Sequence, residues 1–282
     1  MKLVRFGPKG AEKPGAVDAD GQIRDLSSVA ADFGHGGVAL EAIAGLRALD
    51  LAALPIVDGS PRIGACLADV PNFHAIGLNY VKHAKETGNP IPKEPVIFTK
   101  ATSCLSGPFD PVVIPKGSQK TDWEVELGII IGRDTEHVSV ADALSVVAGY
   151  CIVNDVSERE FQAERGGQWC KGKSAPTFGP VGPWIVTADE IADPQDLALS
   201  LRVNDAVQQS SATSDMIFTV AECISYLSQF MRLRTGDLIC TGTPEGVGLG
   251  QTPQRFLKPG DVMELEIAGL GLQRQAVVAF DG

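Results

Sequence analysis

Two carboxylates stand at the start of a run of residues that only a buried strand can accommodate. Residues Asp122–Gly132 read DWEVELGIIIG, and no polar side chain follows the second glutamate. Because side chains alternate between the two faces of a strand, Glu124 and Glu126 share one face. Neighbouring carboxylates repel each other unless a cation or a proton lies between them. Their hard oxygen atoms favour Mg²⁺, Mn²⁺ or Ca²⁺ over a soft metal, so this stretch indicates a metal site.

A second glutamate pair shows that this spacing alone does not indicate a metal site. Glu264 and Glu266 also alternate with apolar residues, but that strand ends at Ala268–Gly269, where water can solvate the carboxylates. The strand after Glu126 instead continues into Ile129–Ile131, as a strand buried on both faces does. A carboxylate pair that enters a buried sheet needs compensating charge. We therefore expect a metal at the first pair and solvent at the second.

Asp155 is the candidate for a third ligand. It follows the apolar run Ala148–Val153, at the end of a predicted strand. Ligands collect where strands open into loops. The alternative is a helix-capping aspartate, but the capping pattern at Ser157 makes that role less necessary. Together with the first glutamate pair, Asp155 would give a site of three carboxylates with room for water and a chelating substrate.

Two other polar segments could supply the chemistry. His83 and Glu86 lie three residues apart and would be neighbours on a helical turn. A carboxylate beside an imidazole orients it as a general base, although a surface ion pair explains this pair equally well when it is taken alone. Lys173, in a K-G-K-S segment, could stabilise an oxyanion or an enolate near a metal. The loop Thr241–Gly248 could present backbone N–H groups to a carboxylate.

Charge and composition exclude several classes of partner. The 282 residues carry a net charge of −11, which argues against nucleic acid or an anionic membrane as partner. No apolar run approaches the length of a membrane span, and the first residues lack a signal-peptide core. We therefore expect a cytoplasmic protein. Its six cysteines include no C-x-x-C pair, so we expect reduced cysteines that mostly fill core positions.

The pattern of apolar residues differs between two parts of the chain and predicts two domains. Residues 1–70 predict a small N-terminal α/β module, with an Ala/Leu-rich helix within 38–54 that ends at Pro55. Residues 71–282 predict many short strands, among them Val125–Ile131 and Val262–Ile267. This proportion of strands indicates a β-rich α+β fold.

Two helices interrupt these predicted strands. One is expected to begin at Ser157, with Glu160 completing a capping box, and to stop near Gly166. The other is expected to begin at Thr219, with Glu222 completing its box, and to end within Arg232–Gly236.

Several motifs in this order resemble the fumarylacetoacetate hydrolase family, across essentially all of residues 72 to 282. The matching segments are Gly77–Tyr80 with His83 and Glu86, Pro95–Lys100, Asp122–Gly128, Asn154–Arg159, Gln168–Trp169, Gly172–Ser174, Gly179–Pro183 and Gly236–Gly248. The N-terminal module resembles a small extra domain of some bacterial members. The resemblance implies a mixed β-roll or barrel fold, a homodimer, and Mg²⁺ or Mn²⁺ held by Glu124, Glu126 and Asp155.

The resemblance also implies roles for other residues. His83 and Glu86 would activate water from a segment that covers the site like a lid, and Lys173 would stabilise developing negative charge. Implied substrate contacts are Lys100, Arg159, Gln162 and Thr243. The sequence departs from the family pattern at Ala175–Pro176, where Phe-Asp is usual, and at Cys170, which replaces a common threonine. We expect both departures to alter the pocket wall.

The implied reaction is hydrolysis of the C3–C4 bond of a 2,4-diketo acid, which yields pyruvate and a second acid. Residues Lys2–Pro8 and Glu164–Trp169 most resemble bacterial hydrolases of 2,4-diketo-3-deoxy-L-rhamnonate or -fuconate, a branch often named ureidoglycolate lyase. The alternatives are a ureidoglycolate lyase, an oxaloacetate decarboxylase or keto–enol isomerase that uses the same metal and enolate, and a non-catalytic protein that binds a metal or an acid. The presence of His83, Glu86 and Lys173 argues against the last, because binding alone needs no water-activating pair.

Overall fold

A computed structural model describes residues 1–281 and shows a chain built mostly from strands. The strands are β1 (Lys2–Phe6), β2 (Lys13–Val17), β3 (Ile23–Asp25), β4 (Phe73–Gly77), β5 (Val96–Lys100), β6 (Leu105–Ser106), β7 (Val112–Val113), β8 (Thr121–Asp122), β9 (Val125–Ile131), β10 (Val147–Asn154), β11 (Ser157–Glu158), β12 (Gly179–Thr187), β13 (Ala198–Val203), β14 (Ala206–Ala212), β15 (Leu238–Cys240), β16 (Val262–Ile267) and β17 (Gly271–Val278). The α-helices are α1 (Leu40–Arg47), α2 (Val81–Glu86), α3 (Cys170–Lys173) and α4 (Val220–Ser228).

The strands form two main sheets. The larger sheet has ten strands in the order β3-β2-β1-β12-β10-β9-β15-β4-β5, with β6 paired to β12. The second sheet has five strands in the order β14-β13-β16-β17-β7, and β8 pairs with β11. This arrangement confirms the β-rich α+β class. Over residues 1–281 the edge strands β3 and β5 do not pair with each other, so the sheet is open and does not close into a barrel.

The N-terminal strands extend the larger sheet. β1 pairs antiparallel with β12, so that Lys2 lies opposite Val186 and Leu3 opposite Ile185. Helix α1 is shorter than the stretch predicted for it, and Leu51–Ala53 form a separate 3₁₀ turn. The division of the chain near residue 70 stays a prediction.

The prediction that a helix begins at Ser157 is wrong. Ser157 pairs with Asp122 as part of β11, and its Oγ donates a hydrogen bond to the Asp155 carbonyl at 2.9 Å. The helical turn begins only at Glu160 and is a π-helical turn, Glu160–Glu164. The strand pairing uses the backbone that the capping box would need, so the box does not form.

The capping box predicted at Thr219 is confirmed. The Glu222 N–H donates to Thr219 Oγ1 at 3.2 Å, and the Thr219 N–H donates to Glu222 Oε2 at 2.7 Å. Helix α4 ends at Ser228, earlier than predicted. There the Ser228 carbonyl accepts a bond from His137 N at 2.9 Å, and Ser228 Oγ accepts one from Val138 N at 3.0 Å. These contacts with another segment fix the end of the helix.

The middle of the larger sheet is the core of the molecule. Every residue of β9 and β10 is buried, as the apolar run in the sequence predicts.

Across residues 1–281, no helix combines the length and the apolar character that a bilayer crossing requires.

Candidate active site

The pairing of β9 with β10 brings three carboxylates together. Val153 lies opposite Glu126, and beyond the end of the pairing Asp155 N donates to the Glu124 carbonyl at 2.9 Å. Because opposed residues of an antiparallel pair share a face, Glu124, Glu126 and Asp155 project from the same face. Each of the three is no more than 4% exposed. Glu264 is half-buried and Glu266 is exposed, so the two glutamate pairs differ in burial as expected, and the metal at the first pair stays a prediction.

Lys173 lies between two of these carboxylates. Its Nζ is 2.6 Å from Glu124 Oε2 and 2.7 Å from Asp155 Oδ2. Burial lowers the pKa of Lys173, but the charges of Asp155 and Glu124 outweigh this effect and raise it above the usual range. Lys100 is fully enclosed behind the same site, where its Nζ contacts Asp155 Oδ1 and the carbonyl of Lys173. Both ammonium groups therefore hold Asp155 in place.

Arg159 adds a second cation to Glu124. Its Nη2 is 2.8 Å from Glu124 Oε1 and 2.8 Å from Asp122 Oδ2. Burial alone would raise the pKa of Glu124, but the neighbouring Lys173 and Arg159 charges lower it far below its usual range. Glu124 is thus ionised and fully paired.

Glu126 is in the opposite electrostatic state. The hydrogen bond that it accepts comes from Gly242 N, at 2.7 Å from Oε2. Burial, and then the charges of Asp155 and Glu124, raise the pKa of Glu126 well above its usual range. A divalent cation between Glu126 and Asp155 would relieve this repulsion. The donor set therefore fits Mg²⁺ or Mn²⁺, and the ligand set of Glu124, Glu126 and Asp155 stays a prediction.

Cys240 lies beside the carboxylates, a position that sequence reasoning missed. Ligand atoms of Glu126, Asp155 and Cys240 all lie within 4.8 Å of one another. Burial, together with the Glu126 and Asp155 charges, raises the pKa of the thiol well above its usual range. A protonated thiol is a poor ligand for a hard cation. The available signal was the position of Cys240 directly before the polar loop Thr241–Gly248.

Helix α2 carries the predicted water-activating pair. His83 Nδ1 lies 2.9 Å from Glu86 Oε1, and Glu86 Oε2 accepts a bond from Gly246 N at 2.9 Å. A carboxylate at Nδ1 favours the tautomer in which Nε2 keeps its lone pair. His83 is buried and lines the same cavity as Glu124 and Lys173.

A cavity of about 220 Å³ joins these groups. Its buried inner part is polar and consists of His83, Glu124, Glu126, Arg159, Gln162, Lys173 and Thr243. Its rim, which sequence reasoning missed, has no charged side chain: the half-exposed apolar residues Leu78, Phe98, Trp169 and Leu249 lie beside polar Thr87 and Asn89. The cavity thus has a charged floor and an uncharged, mostly apolar rim.

The predicted substrate contacts divide into two groups. Arg159, Gln162 and Thr243 line the cavity, whereas Lys100 lies behind Asp155 and does not. Gln162 Oε1 accepts a bond from Arg159 Nη1 at 3.1 Å. Thr243 Oγ1 donates to the Val125 carbonyl at 3.0 Å, so this side chain is held against the strand that carries the glutamates. Their role in binding substrate stays a prediction.

Neither departure from the family pattern lines the cavity itself. Ala175 and Pro176 line a separate groove with Phe280, whereas exposed Cys170 lines an adjoining groove with Phe98 and Trp169 of the cavity wall. The expectation that these departures alter the pocket wall stays a prediction. Sequence reasoning also gave no role to Asp122, whose carboxylate accepts bonds from Arg159 Nε at 2.8 Å and Gly248 N at 2.7 Å.

Comparisons with known proteins show the family of the chain. The sequence model described as "Fumarylacetoacetate (FAA) hydrolase C-terminal" matches residues 72–278. A Burkholderia multivorans protein, named only in general terms as a hydrolase, is 57% identical over 276 residues, which cover 98% of each chain.

Two solved structures share the fold over nearly their whole length. Fumarylacetoacetate hydrolase from Exiguobacterium antarcticum superposes with a TM-score of 0.86 and 36% identity, over 99% of this chain and 100% of that one. Maleylpyruvate hydrolase from Sphingobium sp. SYK-6, solved with manganese(II) and pyruvate, has a TM-score of 0.81 and 31% identity over 99% of both chains. The chain therefore belongs to the fumarylacetoacetate hydrolase family, a family of hydrolase-type enzymes.

Proposed function

We propose that the protein is a hydrolase, dependent on Mg²⁺ or Mn²⁺, that cleaves the C3–C4 bond of a 2,4-diketo acid. The observation that carries this proposal is one cavity lined by His83, the partner of Glu86, by Lys173, and by two of the three buried carboxylates, Glu124 and Glu126. The proposed substrate is 2,4-diketo-3-deoxy-L-rhamnonate or -fuconate, and the products are pyruvate and a second acid such as lactate.

Glu124, Glu126 and Asp155 would hold the metal through their oxygen atoms. When bound, the metal would supply a Lewis acid for the 1-carboxylate and 2-keto oxygens of the substrate. The manganese and pyruvate in the Sphingobium structure support this cofactor and this product.

His83 begins the proposed reaction by taking a proton from water at Nε2, while Glu86 stabilises the imidazolium through Nδ1. The water oxygen forms a bond to C4. When this adduct collapses, the C3–C4 bond breaks, its electron pair passes to the pyruvate enolate, and C4 leaves as a carboxylic acid. Lys173 stabilises the enolate charge, because its raised pKa keeps the ammonium protonated. Protonation at C3 then yields pyruvate.

A substrate panel with the Mg²⁺-loaded protein tests this proposal. Pyruvate release is measured from the two diketo-deoxy sugar acids, oxaloacetate and ureidoglycolate, with EDTA-treated protein as the control. We expect a diketo acid to give equal amounts of pyruvate and a second acid. Turnover of oxaloacetate alone, to pyruvate and CO₂ and with no effect of His83→Ala, would contradict the proposal, because decarboxylation needs no attacking water.

We also propose that the enzyme acts in the cytoplasm as a homodimer. Light scattering after size-exclusion chromatography should give about twice the chain mass of 29.7 kDa. A mass of one chain at micromolar concentration would contradict the dimer, and cell fractionation tests the location.

A further inference from the structure

We infer that the cavity selects 2,4-diketo acids whose distal end is uncharged, so that monocarboxylates are preferred over dicarboxylates. This inference rests on the proposed function, because it names the class of diketo acid that the same cavity accepts. The inference is based on the distribution of charge between the buried floor of the cavity and its rim.

The cationic side chains of the cavity are confined to its floor. Among the described residues that line it, the permanent cations are Arg159 and Lys173, and both are buried. Both contact Glu124, so their charge is already shared with the carboxylate cluster. The floor can therefore receive the 2-keto-carboxylate end of one substrate, and it holds no further cation for a second carboxylate.

The lining outside this floor has no charged side chain among the described residues, and its aromatic part is held by packing. Lys173 Nζ lies 5.3 Å from the Phe98 ring, and the Phe98 and Trp169 rings pack edge to face with centroids 5.3 Å apart. Gly77 makes room for this arrangement, because a Cβ there would lie 2.4 Å from Trp169 Cζ3. The aromatic wall therefore extends outward from Lys173, and Leu78 and Leu249 complete the rim.

Helix α2 carries two exposed lysines, Lys82 and Lys85, and neither lines the cavity. Lys82 Nζ pairs with Glu245 at 3.2 Å. A distal carboxylate would lose part of its hydration against Trp169 and Phe98 without gaining a cation. A distal methyl or hydroxylated carbon would instead pack its C–H groups on the indole face.

Binding of two uncleavable acids tests the inference separately from turnover. The probes are 2-oxoheptanoate and 2-oxoheptanedioate, which differ only in the distal carboxylate and lack the C4 carbonyl that hydrolysis requires. Titration calorimetry with the Mg²⁺-loaded protein should give a Kd about tenfold lower for the monocarboxylate. Equal affinity, tighter binding of the dicarboxylate, or binding of neither acid would overturn the inference.

Failure of the proposed function is recognised separately, by the absence of pyruvate release from every diketo acid of the panel while 2-oxoheptanoate still binds.

A rim variant provides a second test. Ala163 lines the cavity and is exposed, so Ala163→Arg places a cation at the rim and Ala163→Gln is the uncharged control. The arginine variant should shift the ratio of the two Kd values about fivefold toward the dicarboxylate, as expected for an exposed ion pair, and the glutamine variant should not. Equal shifts in both variants would overturn the inference.

Discussion

Neighbouring glutamates on one strand face show how strongly position controls charge. Glu124 is ion-paired with Lys173 and Arg159, and these charges lower its pKa. Glu126, two residues away, faces Asp155 without a cationic partner of its own, and burial raises its pKa. Glu124 therefore anchors the two cationic side chains, and Glu126 is the carboxylate that gains most from a bound divalent cation.

We expect Glu126→Ala to abolish Mg²⁺ binding and pyruvate release together. The substitution removes the carboxylate that lacks a cationic partner, and the two remaining ligands, Glu124 and Asp155, are both already paired with Lys173. Calorimetric titration with Mg²⁺ and a pyruvate assay measure the two effects.

The matched control for this substitution is Glu266→Ala, on the exposed face of β16. It should change neither quantity and should alter the free energy of unfolding by less than about 0.5 kcal/mol. Retention of full Mg²⁺ affinity in Glu126→Ala would show that the ligand set is wrong.

His83→Ala should retain Mg²⁺ affinity but lower kcat by about 10²-fold or more, the usual effect of losing a general base. The reason is that His83 contacts Glu86 rather than the carboxylate cluster. The measurements are kcat and the Kd for Mg²⁺, with the exposed His137→Ala as control. Loss of the metal in His83→Ala would instead identify His83 as a ligand.

At the scale of elements, the loop after β15 connects helix α2 to the glutamate strand. Gly246 N donates to Glu86 Oε2 at 2.9 Å, and the Gly246 carbonyl accepts a bond from Trp123 Nε1 at 3.1 Å. Gly246 has φ +100°, and a Cβ there would lie only 1.9 Å from the Gln208 carbonyl oxygen. Only glycine fits this close approach, which holds the catalytic pair over the cluster.

Gly246→Ala should therefore lower both stability and kcat, because the loop must move away from Gln208 and release Glu86. Gly260→Ala is the matched control, since Gly260 has a similar φ of +96° but no atom within 4 Å of its Cβ position. The control should cost about 1 to 3 kcal/mol from backbone strain and leave kcat unchanged. Urea unfolding and kcat separate the two effects, and equal losses in both variants would argue against the close approach.

One strand that sequence reasoning missed, β17, contains buried amides. Its Gln273 and Gln275 are fully buried, and the residue between them, Arg274, lies on the exposed face. Gln273 Nε2 donates to the Ile152 carbonyl at 2.8 Å, and Gln275 Nε2 to the Pro108 carbonyl at 2.6 Å. A glutamine is buried only when distant partners satisfy its amide, so a local pattern gives no warning of such a strand.

At the scale of the whole molecule, a cluster of ion pairs ties the N-terminal segment to the rest of the chain. Arg62 donates to Asp110 Oδ1 at 2.8 Å and to Glu12 Oε1 at 2.8 Å. Burial alone would raise the pKa values of Asp110 and Glu12, but their bonds with Arg62 lower both below the usual range. The pairs therefore stabilise the folded state through the ionised carboxylates.

The stability lost in Arg62→Ala should depend on pH. Both carboxylates have lowered pKa values in the folded state, so their contribution is fully present above the unfolded values of about 4. It is lost as the pH falls through the folded values. We expect a loss of about 1 to 3 kcal/mol at pH 7, and a smaller difference from the wild type below about pH 4.

Urea unfolding at a series of pH values measures this dependence. Arg274→Ala, which removes the exposed pair with Glu264, is the control and should cost less than about 1 kcal/mol. A difference between Arg62→Ala and the wild type that stays constant from pH 7 to pH 3 would contradict the role given to these ion pairs.

The sequence by itself determined the buried strand β9, the contrast between its glutamates and those of β16, the capping box at Thr219 and the family. Each of these depends on residues close together in the chain, whose periodicity reports burial directly. Only the tertiary structure decided that Ser157 joins a strand, that Lys173 lies between Glu124 and Asp155, and that the described cavity rim is uncharged. Those features depend on strand register and on ion pairs between distant residues, which no local pattern encodes.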